Sequence, residues 1–290
     1  MEIGLFTPLG TGNAHGPLLR RLGVEAEARD FESIWVAEHV VMFDEYASQY
    51  PYAADGRFPG GGDTGLLEPL TALAYLAAVT DRIRLGTGIC LVPQRNPVYT
   101  AKQVVDVDNL SGGRVDFGIG IGWLKEEFDV LNMPFANRGA ITDDFLAVMK
   151  VLWQDEVSEF HGEHYDLPAC RLYPKPLQTP HPPIHVGGES DAALRRVAAH
   201  GQGWYSFNRL PHDLDEPLVR LDGMLAAQGR VRGDVQITVC PYFNPVTPEL
   251  IAAYADRGVD RLVLLCLAFD EASTIASLDD LAALRDAGLG

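Results

Sequence analysis

The sequence predicts an α/β protein that folds as a (β/α)8 barrel of the TIM type. Short apolar segments of strand length alternate with amphipathic segments of helix length, and the count reaches eight of each. The length of 290 residues suits one barrel, because such barrels commonly take about 250 residues before insertions. We therefore expect residues 1–290 to form a single barrel domain with an insertion between strands 4 and 5.

The strands and helices follow one another at the spacing of right-handed βαβ units, which build parallel sheets. The predicted strands cover residues 2–7, 33–38, 83–92, 114–122, 183–187, 203–207, 235–243 and 261–267. The predicted helices cover residues 17–30, 69–79, 98–110, 143–154, 191–200, 213–228, 248–257 and 271–287. An open doubly wound sheet is the alternative, but Gly10-Thr11-Gly12 does not continue as the GxGxxG turn that usually follows its first strand.

Three segments between these elements carry further information. Asn96 and Pro97 suit the N-cap and the first position of the third helix. Residues 40–67 form a loop long enough to be a lid or a pocket wall. Its aromatic residues, which either line a substrate pocket or hold the loop down, are Tyr46, Tyr50, Tyr52 and Phe58. Residues 155–183 are rich in proline and contain a possible hairpin around FHGEHYDL, so we place the insertion there.

The fourth predicted strand, within LSGGRVDFGIGIGWLKEEF at residues 110–128, separates bulky from small side chains. Successive side chains of a strand point to opposite sides, so the bulky residues share one face and three glycines share the other. These glycines are Gly118, Gly120 and Gly122. We expect the bulky face to pack against helices. The glycines then face the barrel interior, where they either leave room for a flat ligand or let backbones approach closely. Gly86 and Gly88 repeat the pattern on the third strand.

Charge and composition exclude several classes of function. A formal charge of −17 gives an acidic surface that repels nucleic acid and anionic membranes, so we expect neither as a partner. The sequence shows no secretory leader and no run of about 18 apolar residues, which favours a cytoplasmic protein. The four cysteines have no CxxC spacing and suit reduced, buried thiols.

The active site of a (β/α)8 barrel lies at the carboxyl ends of its strands, where we find the candidate catalytic residues His39 and Glu38. A histidine beside a carboxylate can exchange a proton near neutral pH or hydrogen-bond a ligand ring. The alternative is a histidine that only caps a loop. Thr87, Gly88 and Ile89 on the third strand form a second candidate, because small residues there can host a bulge or a cis peptide under a ligand.

Gly187, Gly188, Glu189 and Ser190 follow the fifth predicted strand and open a helix. The glycines allow close approach, and the free N–H groups of a helix start suit a phosphate. A tight turn capped by Ser190 or Asp191 explains the same residues without a ligand. Histidines that suggest a metal site beside Glu163 lack the HExxH spacing, so we expect no metal. They are His161, His164, His181 and His185.

Four motifs occur in order at strand ends: SIWVAEHV, IRLGTGICLVPQRNPV, the stretch at residues 110–128, and PPIHVGG followed by GQGWY. With them the chain resembles the luciferase-like monooxygenases and is most similar to the branch that uses the deazaflavin coenzyme F420. The resemblance runs from the first strand to about Trp204 and is weak beyond it.

The resemblance implies a flavin or deazaflavin at the C-terminal mouth of the barrel. His39 would lie by the ring and the substrate with Glu38 beside it, Gly88-Ile89 would match a bulged, cis-peptide backbone behind the ring, and the loop from Gly187 would hold the cofactor phosphate. The candidate cofactor-binding residues are Thr87, Gly88, Ile89, Gly120, Gly122, Trp123, Gly187, Gly188, Glu189 and Ser190.

Two departures from the family pattern bear on cofactor and substrate. Flavin-dependent relatives often carry an arginine where Ile121 stands, and its absence weakens the FMN interpretation. Deazaflavin-dependent sugar-phosphate dehydrogenases have an acid at the position of Trp123 and an aspartate at that of Glu38. This puts their substrate and their proton donor in doubt for this chain.

The function that the resemblance implies is an F420-dependent oxidoreductase that transfers hydride between the deazaflavin and a small organic substrate. A deazaflavin has carbon in place of the reactive N5 of a flavin, so it passes hydride in two-electron steps and reacts poorly with oxygen. The alternatives are an FMN-dependent monooxygenase and a non-catalytic flavin-binding barrel. Barrels of this family usually pair, so we expect a homodimer.

Overall fold

Eight parallel strands close into a barrel in the computed structural model, which describes residues 1–267 and 269–290. The strands are β1 Glu2–Thr7, β2 Ser33–Val36, β3 Arg84–Thr87, β4 Val115–Gly120, β5 Ile184–Gly187, β6 Gly203–Phe207, β7 Gln236–Cys240 and β8 Arg261–Leu265. β1 pairs with both β2 and β8, and the pairing of β3 with β4 completes the circle. The predicted fold class is therefore confirmed.

Helices cover the outside of this barrel. They are α1 Gly16–Ala28, α2 Pro69–Ala77, α3 Pro97–Ser111, α4 Lys125–Val130, α5 Arg138–Gln154, α6 Asp191–His200, α7 Asp215–Ala227, α8 Pro248–Ala255 and α9 Glu271–Leu289. The predicted N-cap Asn96 is confirmed, since its side chain accepts hydrogen bonds from the N–H groups of Val98 and Tyr99. No helix among residues 1–267 and 269–290 has the length and apolarity needed to cross a bilayer.

The structure departs from the predicted elements at three places. The helix α4 was not predicted, because six residues are too few to show a helical period. α5 begins at Arg138 rather than at residue 143. The third strand does not run unbroken to residue 92: β3 ends at Thr87, the Gly88–Ile89 peptide is cis, and Cys90–Leu91 pairs with β4 beyond it. The predicted hairpin is present, as Ser158–His161 against Asp166–Cys170.

Trp35 is fully buried in the interior of the barrel, where it packs in one cluster with Phe6, Tyr205, Cys240 and Val263. A Cβ atom on Gly86 would lie 2.4 Å from Cδ2 of Trp35, and one on Gly118 would lie 1.9 Å from the carbonyl oxygen of Thr87. These two glycines therefore let the walls close around the indole and leave no room for a ligand. At Gly86 and Gly118 the interpretation as a ligand slot is wrong, and that of close backbone approach holds.

Charged groups lie at the amino ends of the strands, on the other side of Trp35 from the strand carboxyl ends. Asp116 accepts hydrogen bonds from Nε and Nη2 of Arg84 at 2.9 and 2.7 Å, and Nη2 of Arg261 lies 3.4 Å from it. Burial alone would raise the pKa of Asp116, but Arg84 and the neighbouring His185 and Arg261 hold it well below the usual range. The barrel is thus closed by an ion cluster at one end, which leaves the strand carboxyl ends for a site.

The packing at Gly118 predicts how much stability the protein loses when one methyl group is added there. We expect Gly118→Ala to lower the free energy of unfolding by about 2–3 kcal/mol, because the new atom meets a buried backbone oxygen that cannot move aside. Urea unfolding measures the change. Gly223→Ala in α7 is the matched control: nothing lies within 4 Å of its Cβ, so we expect a gain of about 0.5–1 kcal/mol from helix propensity. Equal effects of the two changes would contradict the packing.

Candidate active site

A cavity of about 740 Å³ opens at the carboxyl ends of the strands. Cofactor and ligand pockets commonly span about 300–1,000 Å³, so the volume admits a flat tricyclic ring together with a small substrate. The predicted site residues that border the cavity are Glu38, His39, Gly88, Ile89, Gly120, Gly122, Trp123, Gly187, Gly188, Glu189 and Ser190. The cavity thus brings together residues from four strand ends.

Thr87 is the predicted site residue that does not border the cavity. Its side chain is fully buried, and its hydroxyl donates to the carbonyl oxygen of Gly118 at 2.6 Å. Because side chains alternate along a strand, Thr87 points away from the face that Gly86 and Gly88 share. Its place among the cofactor-binding candidates is therefore corrected: Thr87 joins β3 to β4.

His39 forms a hydrogen bond with a carboxylate that the sequence analysis did not pair with it. Nδ1 of His39 lies 3.1 Å from Oε2 of Glu127, which is fully buried at the start of α4. Gln94 donates to the same oxygen at 2.9 Å. Nδ1 is thereby occupied, and no hydrogen bond to Nε2 is found among the described residues. Nε2 is the nitrogen left for a ligand in the cavity.

Glu127 is held in its charged form. Burial alone would raise its pKa, but hydrogen bonds from His39, from Gln94 and from the N–H of Val40 outweigh burial and lower the pKa below its usual range. A charged carboxylate accepts and does not donate, so Nδ1 of His39 carries the hydrogen of this bond. The pair therefore fixes both the orientation and the tautomer of the imidazole.

Glu38 stands in a different environment from His39. Its Oε1 accepts from Nε of Arg95 at 2.8 Å and also from Nη2 of that residue, and its Oε2 accepts from the N–H of Leu91. Arg95 in turn bridges to Glu68. With both carboxylate oxygens engaged, Glu38 anchors the turn after β3, and this pairing argues against a proton-carrying role.

The long loop that follows β2 is held down by α4. Oε1 of Glu127 accepts from the N–H of Val40 at 2.6 Å. Glu126 accepts from the N–H of Ala47 at 2.7 Å and from the hydroxyl of Ser48 at 2.7 Å. Although burial raises the pKa of Glu126, these hydrogen bonds lower it to about 2. Two adjacent carboxylates thus fix the first part of the loop over the cavity.

The segment after β5 combines a glycine turn with a helix start. Gly188 has φ +104, which a residue with a side chain rarely adopts, and the hydroxyl of Ser190 caps α6 by accepting from the N–H of Ala193 at 3.2 Å. The predicted cap is thus Ser190. The side chain of Glu189 turns toward β6, where it accepts from the N–H of Phe207 at 2.9 Å. Burial raises the pKa of Glu189 above its ordinary value.

These residues fit a flat ring with an anionic tail. At the ring end, a Cβ on Gly88 would lie 2.9 Å from the hydroxyl of Tyr205, so only a bare backbone fits there. That hydroxyl is buried, and the partner it has is the thiol of Cys240, a weak hydrogen-bonding group. At the tail end, Gly188, Ser190 and Ala192 border the cavity, and the first N–H groups of a helix such as α6 have no partner within the helix.

Sequence reasoning missed Glu127, Tyr205 and Arg138 as residues of the site. Arg138 borders the cavity at the start of α5 and donates from Nε to the carbonyl oxygen of Gly122 at 3.1 Å. Only Glu127 carried a usable signal, because a pair of glutamates lies a few residues beyond the carboxyl end of the fourth strand. No group of three or more metal-binding side chains is found in the described part of the chain.

Comparison with known proteins identifies relatives of this chain. An uncharacterized protein of Mycobacterium tuberculosis is 34% identical over 243 residues, which cover 84% of this chain and 83% of the relative. The FMNH2-dependent dimethylsulfone monooxygenase of Pseudomonas putida is 34% identical over 156 residues, 52% of this chain and 42% of that protein. The first relative spans most of both chains, whereas the second matches about half of this one.

Solved structures share the fold at low sequence identity. Monooxygenase RslO1 from Streptomyces bottropensis has a TM-score of 0.81 at 19% identity and covers 100% of both chains. An F420-dependent secondary alcohol dehydrogenase in complex with an F420-acetone adduct has a TM-score of 0.78 at 16% identity and covers 99% of this chain and 98% of its own. A monooxygenase and an F420-dependent dehydrogenase thus share this barrel fold.

A family model described as luciferase-like monooxygenase matches residues 1–257. This match spans most of the 290 residues, and the mycobacterial relative exceeds 30% identity over more than four fifths of the chain. The chain therefore belongs to the luciferase-like monooxygenase family.

Proposed function

We propose that the protein is an F420-dependent oxidoreductase that transfers hydride between the deazaflavin and a small organic substrate. The observation that carries the proposal is the buried pair of His39 and Glu127 at the cavity wall, with Nδ1 engaged and Nε2 free for a ligand. Hydride transfer to or from a carbon that bears oxygen also requires a proton to move, and an oriented imidazole supplies that proton.

The choice of F420 over FMN rests on Ile121, which borders the cavity where flavin-dependent members of the family often have an arginine. FMN is the second candidate, and a specific observation favours it: one relative that is 34% identical over 156 residues is an FMNH2-dependent monooxygenase. The two cofactors share a tricyclic ring and a phosphate, so the glycine turn after β5 serves either.

In the proposed mechanism the chain binds and orients the cofactor and the substrate and moves a proton to or from the substrate. When bound, the deazaflavin supplies or accepts a hydride. The glycine turn at residues 187–190 and the free N–H groups at the start of α6 would hold the phosphate. The loop held by Glu126 excludes water from the cavity. His39 gives a proton from Nε2 to the substrate oxygen or takes one from it, and Glu127 stabilises the imidazolium form.

Cofactor titration tests the proposed identity. We expect the purified protein to bind F420 at least about 10-fold more tightly than FMN, as measured by fluorescence or calorimetry. A protein that binds FMN tightly and leaves F420 unbound would overturn the choice. Ile121→Arg is the informative variant, because we expect it to reduce the difference between the F420 affinity and the FMN affinity.

Substitution of the pair tests its role. We expect His39→Ala to lower kcat by about 100-fold or more and Glu127→Gln to lower it in the same direction, with cofactor affinity unchanged, because proton transfer and not binding is lost. Steady-state kinetics and cofactor titration measure the two effects. Glu163→Gln on the exposed hairpin turn is the matched control and should leave both unchanged. If wild type and His39→Ala turn over every reducible substrate equally, His39 carries no proton.

The attachment of the loop by Glu126 predicts a pH dependence. Its pKa is lowered from 4.5 to about 2, and a carboxyl whose pKa is lower in the folded state stabilises that state above its unfolded pKa. We therefore expect wild type to exceed Glu126→Gln in free energy of unfolding by a constant amount at neutral pH. The difference should shrink below about pH 4.5 as the carboxylate is protonated in the unfolded state. Urea unfolding at several pH values measures it, and a difference that grows in acid would contradict the assignment.

A further inference from the structure

Most of the charged side chains that border the cavity interact with a group of opposite charge. Among the described residues that border it, the charged ones besides His39 are Glu38, Arg138, Glu189, Arg196 and Arg209. Glu38 is neutralised by Arg95. Arg196 pairs with Asp143 and donates to the carbonyl oxygen of Gly139. Arg138 begins α5, Arg196 contacts α5 from within α6, and Glu189 follows β5, and the anionic tail of a cofactor is proposed to lie beside them. Arg209 follows β6 and interacts with both Tyr52 and Glu189, so Glu189 offsets its charge.

Six aromatic side chains form another part of the wall, which we call the aromatic chamber. They are Tyr50, Tyr52, Phe58, Trp123, Phe207 and Tyr242. Neighbouring ring centroids lie between 4.5 Å, for Phe207 and Tyr242, and 5.5 Å, for Tyr50 and Tyr52. Such spacing is that of edge-to-face and tilted aromatic pairs. His39 lies at the edge of the chamber, with its ring centroid 5.3 Å from that of Phe58 and 5.8 Å from that of Trp123.

Tyr242 lies in the chamber with an unfavourable backbone conformation that its surroundings enforce. Its φ of +59 is an outlier for a bulky residue, and strain of this kind persists only where the surroundings enforce it. Asn244 supplies that enforcement: its N–H and its side chain donate to the carbonyl oxygen of Pro241 at 3.1 and 2.9 Å, and its side chain also donates to Asn208 at 3.0 Å. The fold therefore places the ring of Tyr242 in the cavity at an energetic cost.

The chamber also offers hydroxyl groups. The side chains of Tyr50 and Tyr242 hydrogen-bond each other. One bond between two hydroxyls uses one hydrogen, so the second O–H remains available to donate to an oxygen of the substrate. Burial raises the pKa of both tyrosines, and both hydroxyls therefore stay protonated at neutral pH.

We propose that the substrate is an uncharged, ring-bearing organic compound with a carbonyl or hydroxyl oxygen, which lies in the aromatic chamber between His39 and the hydroxyls of Tyr50 and Tyr242. This proposal rests on the proposed function for the position of the cofactor. A carboxylate in the chamber would lose its hydration without gaining an unshared ion pair, because Glu189 already interacts with Arg209, the arginine that follows Phe207. Apolar rings instead gain contact with six aromatic faces.

The test uses two probes that share their rings and differ in charge, the ketone 2-acetonaphthone and the carboxylate 2-naphthoate. Calorimetric titration is made on protein saturated with whichever of F420 or FMN binds, or on the protein as isolated if neither does. We expect the ketone to bind at least about 10-fold more tightly than the carboxylate. Equal affinity, tighter binding of the carboxylate, or no binding of the ketone would overturn the proposal.

Variants locate the bound ketone. We expect Tyr242→Ala and Phe207→Ala each to weaken ketone binding by about 10-fold while the cofactor affinity stays unchanged. Tyr99→Ala on the exposed face of α3 is the matched control and should change neither. A ketone that displaces the cofactor, or that binds both chamber variants as it binds wild type, lies outside the chamber. Failure to bind either cofactor would instead overturn the proposed function. The relative affinity of ketone and carboxylate for the protein as isolated would still test the substrate proposal by itself.

Discussion

The requirement that the barrel interior be filled governs where a site can exist. One indole, that of Trp35, occupies the interior, and it fits only because Gly86 and Gly118 have no side chains. Next to it, Asp116 and the arginines around it balance their charges at the amino ends of the strands. Close packing leaves no room for a ligand at these levels. The space above Trp35 is therefore the space in which residues from several strand ends can meet one ligand.

At the carboxyl ends of the strands, different sides of the cavity carry different kinds of side chain and backbone group. The β5 side carries the glycine turn and the start of α6, which favour a negative charge. The side formed by the long loop, β6 and β7 carries aromatic rings. Gly88 and Gly120 lie between them as bare backbone, since a Cβ on Gly120 would meet Cδ1 of Ile89 at 2.0 Å. In the proposed function these two surfaces would take the cofactor and the substrate, which would meet near His39.

Local patterns predicted most of the fold, because each barrel strand and most helices are long enough to show a period. The bounds of β1, β6 and α6 follow from the sequence directly, whereas α4 is too short to do so. The glycines of β3 and β4 allowed two interpretations, since only the contact with Trp35 distinguishes close packing from an open slot. Strand alternation alone could have excluded Thr87 from the residues that face a ligand. The pairing of His39 with Glu127 could not be predicted from the sequence, because 88 residues separate them and no local period connects the two.

That pairing links the chemistry to the loop that covers it. Oε2 of Glu127 holds the imidazole of His39, while Oε1 of the same carboxylate holds the N–H groups of Val40 and Val41 at 2.6 and 3.3 Å. A buried carboxylate without its donors is strongly disfavoured, so α4, the loop and the imidazole take their positions together. Opening of the loop would free Oε1 and raise the proton affinity of Glu127, which weakens its hold on the tautomer of His39. The orientation of the His39 imidazole therefore depends on the loop that covers the cavity.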